Sequence, residues 1–551
     1  MGGFALAFTG LAHAAPSAGQ AYFENNCSMC HTVKPNMEAL LGPGLFNVVG
    51  RKVGSAPGFN YSSALADLGA RGKAWTAADL DLFLKDPSSF APGTAMQAAV
   101  PAQKDREALI AWLSTQKGKA TAAPVAVGAA PSDTLHWSAD KPGRIHETRA
   151  SELPAPYASP SVNNGPATVP RPAGVLPSVP DNFKVSLWAT DPDKGRLLIR
   201  APNGDLFMSS MSKRLIKVFR SSTGEKADKV SVYASDLNRP FGFAFWPAGP
   251  NPQYLYVAYV NSIVRFPYKN GDLVASGEPE VIVPKLTEAP GGHTTRTLVF
   301  SADSKTMYLS IGSATNYAER IGAAPPEPLA QFEAKQGMGA AWGEELNRAL
   351  VLAFDPDGKN KRTYATGLRN CVGMYLYPIT NELFCSVNER DLLGDNLPPD
   401  YLTRVKNGAY YGWPWYYIGS NEEPRLKGQR PDLKDKVTTP DLLLTSHSAP
   451  LGMVAYQASA GARSAFPAEY NGDILLALHG SWNRATRTGS KVVRVFMKDG
   501  VPTGKYQDFM TGFVVSDKQV WGRPSSVAVQ NDGSLLVVDD VTGEIWRVAP
   551  K

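Results

Sequence analysis

Cys27-Ser28-Met29-Cys30-His31 reads C-x-x-C-H, the attachment site of a c-type haem. Two thiols at this spacing each add to one vinyl group, and His31 is then held beneath the iron as its first axial ligand. A dithiol redox pair needs no such histidine and prefers a β-α-β setting. The second axial ligand must come from the other face of the ring. Met29 lies inside the attachment loop, and Met37 follows His31 too closely to cross the ring. Met96, in Pro92-Gly93-Thr94-Ala95-Met96, is far enough along the chain. Between these points Thr76-Ala77-Ala78-Asp79 opens a helix with a capping-box pattern, and Leu80, Phe83 and Leu84 follow at helical spacing up to Pro87. A second helix is expected over Lys104–Thr115, with Ala108, Leu109, Trp112 and Leu113 on one face. Residues 15–118 therefore read as a small all-α haem domain.

The chain has 551 residues, too many for one ordinary domain, and a net charge of +6, too small at this size to imply nucleic acid. No apolar run reaches membrane-spanning length. Residues 4–11 form a short apolar run followed by Ala12-His13-Ala14, so residues 1–14 are expected to be a secretory signal peptide, although no Lys or Arg precedes the run. Haem attachment argues independently for a periplasmic location. Of the four cysteines, Cys371 and Cys385 are left over. Export permits a disulfide, but a hairpin turn near Pro378–Asn381 places Cys385 opposite roughly Met374, which favours buried free thiols. Residues 119–176 lose all periodicity and are rich in Ala, Pro, Ser and Thr. They read as an extended linker, or as a strap packed on the second domain.

From about residue 177 to the end, short apolar strands alternate with Gly/Asp/Asn turns. The theme recurs at 197–208, 241–258, 298–311, 372–387, 453–478 and 526–538. Six such units predict an all-β, six-bladed β-propeller. Lys184–Ala189 is expected to complete the last blade, which leaves no open edge. Polar residues gather in the connecting turns: Gly292-His293, Leu368-Arg369-Asn370, Asn388-Glu389-Arg390-Asp391, His479 to Arg484, and Gly522-Arg523-Pro524. On a propeller such turns converge at one end of the channel. Arginines there suit carboxylates, carboxylate and backbone oxygens suit calcium, and a histidine can take a hydroxyl proton.

Residues 17–117 resemble class I cytochrome c. The likeness rests on Cys27, Cys30, His31, Gly42-Pro43-Gly44-Leu45, Gly50-Arg51-Lys52, Tyr61, Trp75 and Pro92 to Met96. It implies that the Pro43 carbonyl orients His31 and that Tyr61 and Trp75 hydrogen-bond a haem propionate. Residues 175–551 resemble the soluble sugar dehydrogenases that use pyrroloquinoline quinone (PQQ), especially the L-sorbosone dehydrogenase-like branch. The shared stretches are Gly242 to Phe245, Gly292-His293, Leu368-Arg369-Asn370, Val387 to Asp391, Tyr411 to Pro414 and Gly522-Arg523-Pro524.

This second resemblance implies His293 as general base and Arg369 as the stabiliser of charge on the quinone, with Asn370 beside it. Arg523 would grip a PQQ carboxylate, with Arg484 and Asn238 also facing the cofactor. The backbone oxygens of Glu389 and Arg390 would hold calcium. The chain departs from the glucose-oxidising members around Asn388–Asp400, where its loop is longer and acidic. Together the two resemblances imply a periplasmic quinohaemoprotein that oxidises a small sugar or aldehyde and passes electrons through its own haem to a respiratory acceptor. The alternatives are a haem-d nitrite reductase, whose propeller has eight blades, and a sugar-binding propeller without catalysis.

Overall fold

The computed structural model describes residues 17–28, 31–37, 42–57, 59, 61–91, 94, 96, 99–119, 135–288, 290–319, 321–322 and 324–551. The chain divides into two compact units, residues 1–129 and 130–551. The signal expected at 1–14 and Cys30 lie outside the described residues.

The first unit is helical. Helix α1 (Ala18–Asn26) starts at Ser17, whose hydroxyl accepts from the Gln20 amide. Helix α2 covers Ser63–Ala70, and α3 covers Ala77–Lys85 behind the Thr76/Asp79 capping box. A single turn, α4 (Pro87–Phe90), and the longer α5 (Gln103–Thr115) complete the set. Leu80, Phe83 and Leu84 of α3 face inward, as do Leu109 and Leu113 of α5. They meet Phe23, Val48 and Trp75 in one core. Helices α1 and α5 cross closely at Gly19, where a Cβ would lie 2.0 Å from the Ala108 carbonyl oxygen, and Phe23 packs on Trp112 at 4.9 Å.

The second unit is all-β apart from one eight-residue helix, Leu329–Gln336, and short 3-10 segments. Six antiparallel sheets are each built around four strands. They begin at Leu197, Phe243, Leu298, Cys371, Pro450 and Pro524, matching the six units seen in the sequence. The second strands of most sheets, such as Leu206–Ser210, Leu383–Val387 and Ile474–Leu478, are buried along their whole length, which explains their near-continuous apolar character. The last sheet takes its fourth strand from the start of the unit: Phe183–Thr190 pairs with Glu544–Pro550.

Neighbouring sheets are joined by a recurring contact at their inner strands. The Ser209 hydroxyl donates to the Phe241 carbonyl at 2.7 Å, and the Gly242 amide to the Arg296 carbonyl at 2.9 Å. The Thr297 hydroxyl donates to the Val372 carbonyl, and the Ser386 hydroxyl to the Leu451 carbonyl at 2.7 Å. Gly452 abuts Ser526, and the Leu198 amide donates to the Ser526 hydroxyl at 3.1 Å. Each sheet thus touches the next, and the sixth touches the first.

One open reading is decided and one expectation is corrected. Residues 135–176 are a strap on the second unit rather than a linker. Ile145–Glu147 adds a strand to the edge of the fifth sheet beside Lys505–Gln507, and Ala167–Thr168 pairs with Gln519–Val520. Lys491 Nζ lies 2.7 Å from carboxylates of both Asp140 and Asp508, and His146 Nε2 lies 2.9 Å from Asp508. These are ionic and backbone contacts, so no apolar period announces them. Cys371 and Cys385 are bridged, with Cα atoms 5.6 Å apart. Cys385 does sit opposite Met374, but a bulge after Cys371 brings the diagonal pair together.

Candidate functional site

In the helical unit the Pro43 carbonyl oxygen lies 2.8 Å from His31 Nδ1. With that nitrogen donating, Nε2 is left with its lone pair, the form a metal ligand needs. The imidazole packs on Gly42, where a Cβ would fall 2.2 Å from Cε1. Burial holds its pKa below the usual histidine range. Cys27 is half-buried at the end of α1, and the His31 amide donates to its carbonyl at 2.9 Å. Met96 is half-buried against the helical core. Arg51 ties the Phe46 and Gly44 carbonyls, each at 2.8 Å. The Tyr61 hydroxyl accepts from the Ala56 amide at 3.2 Å, and Trp75 is buried between Phe83 and Phe90.

In the all-β unit the turns before the first strand and after the second strand of each sheet lie at one end. His293 precedes the third sheet. Its Nδ1 lies 2.9 Å from the Ser313 carbonyl oxygen and 3.0 Å from the Ser313 hydroxyl. A carbonyl can only accept, so Nδ1 carries the proton and Nε2 is the basic nitrogen. Burial, reinforced by the charges of Arg369 and Arg348, pushes the His293 pKa down to about 3. The ring is therefore neutral at any ordinary pH.

Arg369 and Asn370 precede the fourth sheet. The Arg369 carbonyl accepts from the Ser313 amide at 2.7 Å, which fixes the two turns together. The Arg369 guanidinium is buried and held from three sides. Nε donates to the Asn316 carbonyl at 2.9 Å and Nη2 to Asn316 Oδ1 at 2.9 Å. Nη1 donates to the Asn388 carbonyl at 3.1 Å and the Glu389 carbonyl at 2.7 Å. Asn370 lies beside His293: a Cβ on Gly312 would meet Asn370 Oδ1 at 2.4 Å and His293 Cβ at 2.7 Å. Asn370 Oδ1 is buried with no protein partner among the described residues. Such an oxygen needs a donor or a cation, and it faces the same turn as the candidate base.

The remaining candidates separate. Arg523 Nε and Nη2 donate to the His479 and Gly480 carbonyls at 2.8 and 2.9 Å, so the fork edge expected to grip a carboxylate is already engaged. Beside it His479 Nε2 lies 2.8 Å from Asp540, which also meets Arg196 at 3.0 Å. Arg484 is buried and ties the Asp395 carbonyl and Asn396 Oδ1 at 3.0 and 2.7 Å, a loop-fastening role. Asn238 lies on an exposed turn. Its neighbour Arg239 reaches Thr294 at 3.2 Å, so the turn approaches the His293 loop although Asn238 itself is not drawn in.

The calcium expectation does not fit at Glu389. Its carbonyl oxygen already accepts from a guanidinium, whose charge opposes a second cation there. The Arg390 side chain is committed to Glu423, with both contacts at 2.7 Å. Among the described residues, one group of side chains has metal-binding dimensions: Asp140, His146 and Asp508. The Lys491 ammonium already sits between its carboxylates.

Sequence reasoning missed Ser313, Asn316 and Arg348. Arg348 binds the carbonyls of Gly312, Gly291, His293 and Ser313 at 2.6 to 3.0 Å. It lies one element away from the motif it supports, and a lone arginine in a long insertion carries no spacing signal.

These two sites sit in regions with recognisable relatives. Residues 1–129 contain a cytochrome c region. Cytochrome c2 of Rhodomicrobium vannielii is 41% identical over 122 residues, which is 22% of this chain and 94% of that protein. Residues 177–398 and 425–551 match the TrAA12-like family model, and the chain belongs to that family. The PQQ domain of pyranose dehydrogenase from Coprinopsis cinerea, in its holo form, superposes with a TM-score of 0.54 at 20% identity, covering 69% of this chain and 98% of that one. The calcium structure of the Trichoderma reesei family AA12 enzyme gives 0.53 at 18%, covering 71% and 99%. At these identities the likeness establishes the fold. The chain is thus a fusion of a cytochrome c with a domain like the PQQ-dependent soluble sugar dehydrogenases.

Proposed function

We propose that the chain is an exported quinohaemoprotein dehydrogenase that oxidises a sugar or aldehyde in the periplasm and delivers the electrons to its own haem c. In this reading the six sheets are the blades of a six-bladed propeller. The observation that carries the reading is His293: a neutral imidazole with Nδ1 tied to Ser313 and Nε2 directed away from it, beside Arg369 and Asn370. PQQ, when bound, supplies a two-electron acceptor for hydride, and the haem accepts those electrons singly.

The chain's own residues do the rest. His293 Nε2 takes the proton of the substrate hydroxyl, or of a hydrated aldehyde, as the C–H bond releases its electron pair. Ser313 keeps the ring in the right tautomer throughout. Arg369 has all but one of its N–H donors engaged by protein oxygens, so it contributes positive charge at a fixed place and little hydrogen bonding. The positive charges of Arg369 and Arg348 beside His293 suit an anionic cofactor. Burial is the main cause of the low His293 pKa, and an anion bound near the arginines would offset the smaller part that their charges contribute.

Full-length protein loaded with PQQ should show haem reduction on adding the right sugar or aldehyde, and none without PQQ. A panel of substrates followed at the haem α band tests this. Haem reduction that is independent of PQQ would remove the quinoprotein reading.

A further inference from the structure

Two residues before the innermost strand of the third sheet, the side chain of Arg296 is wholly enclosed, with 0% exposure. Its Nη1 donates to the carbonyl oxygens of His293 and Thr295, both at 2.7 Å. Nε and Nη2 are buried as well, and neither meets a hydrogen-bond partner among the described residues. Arg296 has no ion pair among those residues, whereas four other buried arginines of this unit, Arg390, Arg430, Arg494 and Arg547, have a carboxylate at 2.6 to 2.7 Å. The charges that bear on Arg296 are those of Arg348 and Arg239, which have the same sign.

A buried, unpaired cation is among the costliest things a fold can hold, and one surrounded by other cations is worse. The geometry says what would relieve it. Nε–H and Nη2–H lie on the same edge of the guanidinium plane and point the same way. That edge is the two-donor fork that matches the two oxygens of a carboxylate. The opposite corner is anchored on the backbone of the His293 loop, so the fork cannot swing away to find solvent.

We propose that the Nε/Nη2 edge of Arg296 is a binding site for a carboxylate, set behind the loop that carries the candidate base. Such a group reaches the site from one of two sources: a small free anion of the formate type, or a carboxylate of the bound quinone. Either would neutralise the Arg296, Arg348 and Arg239 cluster and fix the His293 loop through the carbonyl that Arg296 already holds. The site does not depend on the oxidation chemistry proposed above, because its occupancy is read without turnover.

The test uses full-length protein prepared without PQQ. Formate titrated at constant ionic strength should raise the melting temperature of the large domain along a saturable curve. Arg296→Met, which keeps the stem and removes the fork, should abolish that rise. If the source is the quinone instead, formate gives no saturable rise in the wild type, and the affinity for PQQ falls at least tenfold in Arg296→Met. The proposal is overturned if formate has no saturable effect on the wild type and Arg296→Met binds PQQ with unchanged affinity; water then meets the two N–H groups. Should Arg296→Met fail to fold, Arg296→Lys keeps the charge without the fork, and relaxation of ¹³C-formate in wild-type protein answers the question independently.

Discussion

His31 and His293 are held by the same device. Each has Nδ1 against a backbone carbonyl, Pro43 at 2.8 Å and Ser313 at 2.9 Å. Each is backed by a glycine that admits no Cβ, Gly42 in one unit and Gly312 in the other. Burial lowers the pKa of both. The outcome is the same: a neutral ring whose Nε2 lone pair points in a fixed direction. What differs is the surroundings. His31 is built locally, from a helix end and a loop twelve residues on. His293 is ringed by Arg369, Arg348 and Asp391, residues that the sheet arrangement gathers from distant parts of the chain. The same tautomer lock thus suits the proposed metal ligand, on which one arginine, Arg51, bears, and the proposed base, which several charges surround.

The largest expected effect separates the two rings by function. His293→Ala should lower dye-linked turnover by roughly 10²–10⁴-fold, the usual worth of a positioned general base. PQQ binding should persist, and dithionite should still reduce the haem normally. Stopped-flow absorbance at both centres checks this. Reduction of the quinone by substrate at the wild-type rate in the mutant would return His293 to a structural role. Met96→Ala should do the converse. The haem stays attached, the weak methionine-to-iron band disappears and the potential falls. Turnover with a dye that takes electrons from the all-β unit should be unchanged. A retained band and potential would show that Met96 is not the axial ligand.

An intermediate effect concerns pH. The folded pKa of His293 is about 3, below the unfolded value of about 6.5. Between those values the unfolded chain binds more protons. The contribution of this neutral, half-buried ring is therefore fully present above about pH 6.5 and is lost as pH falls toward 3. It amounts to a few kcal/mol at most on the order of the shift. His479, lowered to about 4 by burial and the charge of Arg523, acts with the same sign in the same window. Urea unfolding of His293→Gln across that range should give a flatter stability curve than the wild type. Parallel curves would mean that His293 is charged in the native state.

The contrast also explains what could be read in advance. C-x-x-C-H and the Thr76/Asp79 cap are short local codes, and the structure carries the capping box and the orienting Pro43 carbonyl at those positions. The six strand units were legible because fully buried strands such as Ile474–Leu478 leave continuous apolar runs. The strap was legible only as one of two open readings, since its hold on the fifth sheet is Lys491 between Asp140 and Asp508, a contact that spans more than three hundred residues of sequence. The disulfide was missed for a smaller reason. The hairpin register was right, but a one-residue bulge after Cys371 has no reliable sequence mark. Arg523 shows a further limit: its residue type suits a carboxylate, yet its fork edge is turned onto the His479 and Gly480 carbonyls.

The smallest expected effect probes the lock itself. Ser313 offers His293 two acceptors, its carbonyl at 2.9 Å and its hydroxyl at 3.0 Å. The hydroxyl proton goes to the Thr315 carbonyl at 2.6 Å, so Oγ is oriented as an acceptor toward Nδ1. Ser313→Ala removes that second acceptor and leaves the carbonyl. The loss is one neutral hydrogen bond, about 0.5–1.5 kcal/mol, or roughly two- to tenfold in turnover if the tautomer lock is felt in the transition state. The expected signature is a fall in kcat with little change in KM or in PQQ affinity. Ser313→Thr, which keeps the hydroxyl, should restore most of the rate. At His31 there is no matching experiment, because the Pro43 carbonyl belongs to the backbone and no side chain shares its task. If Ser313→Ala is silent, the carbonyl alone fixes the ring and the two histidines are held in the same way down to the last acceptor. If it costs several hundredfold, the hydroxyl does more than orient, and the proton path from His293 runs through Ser313.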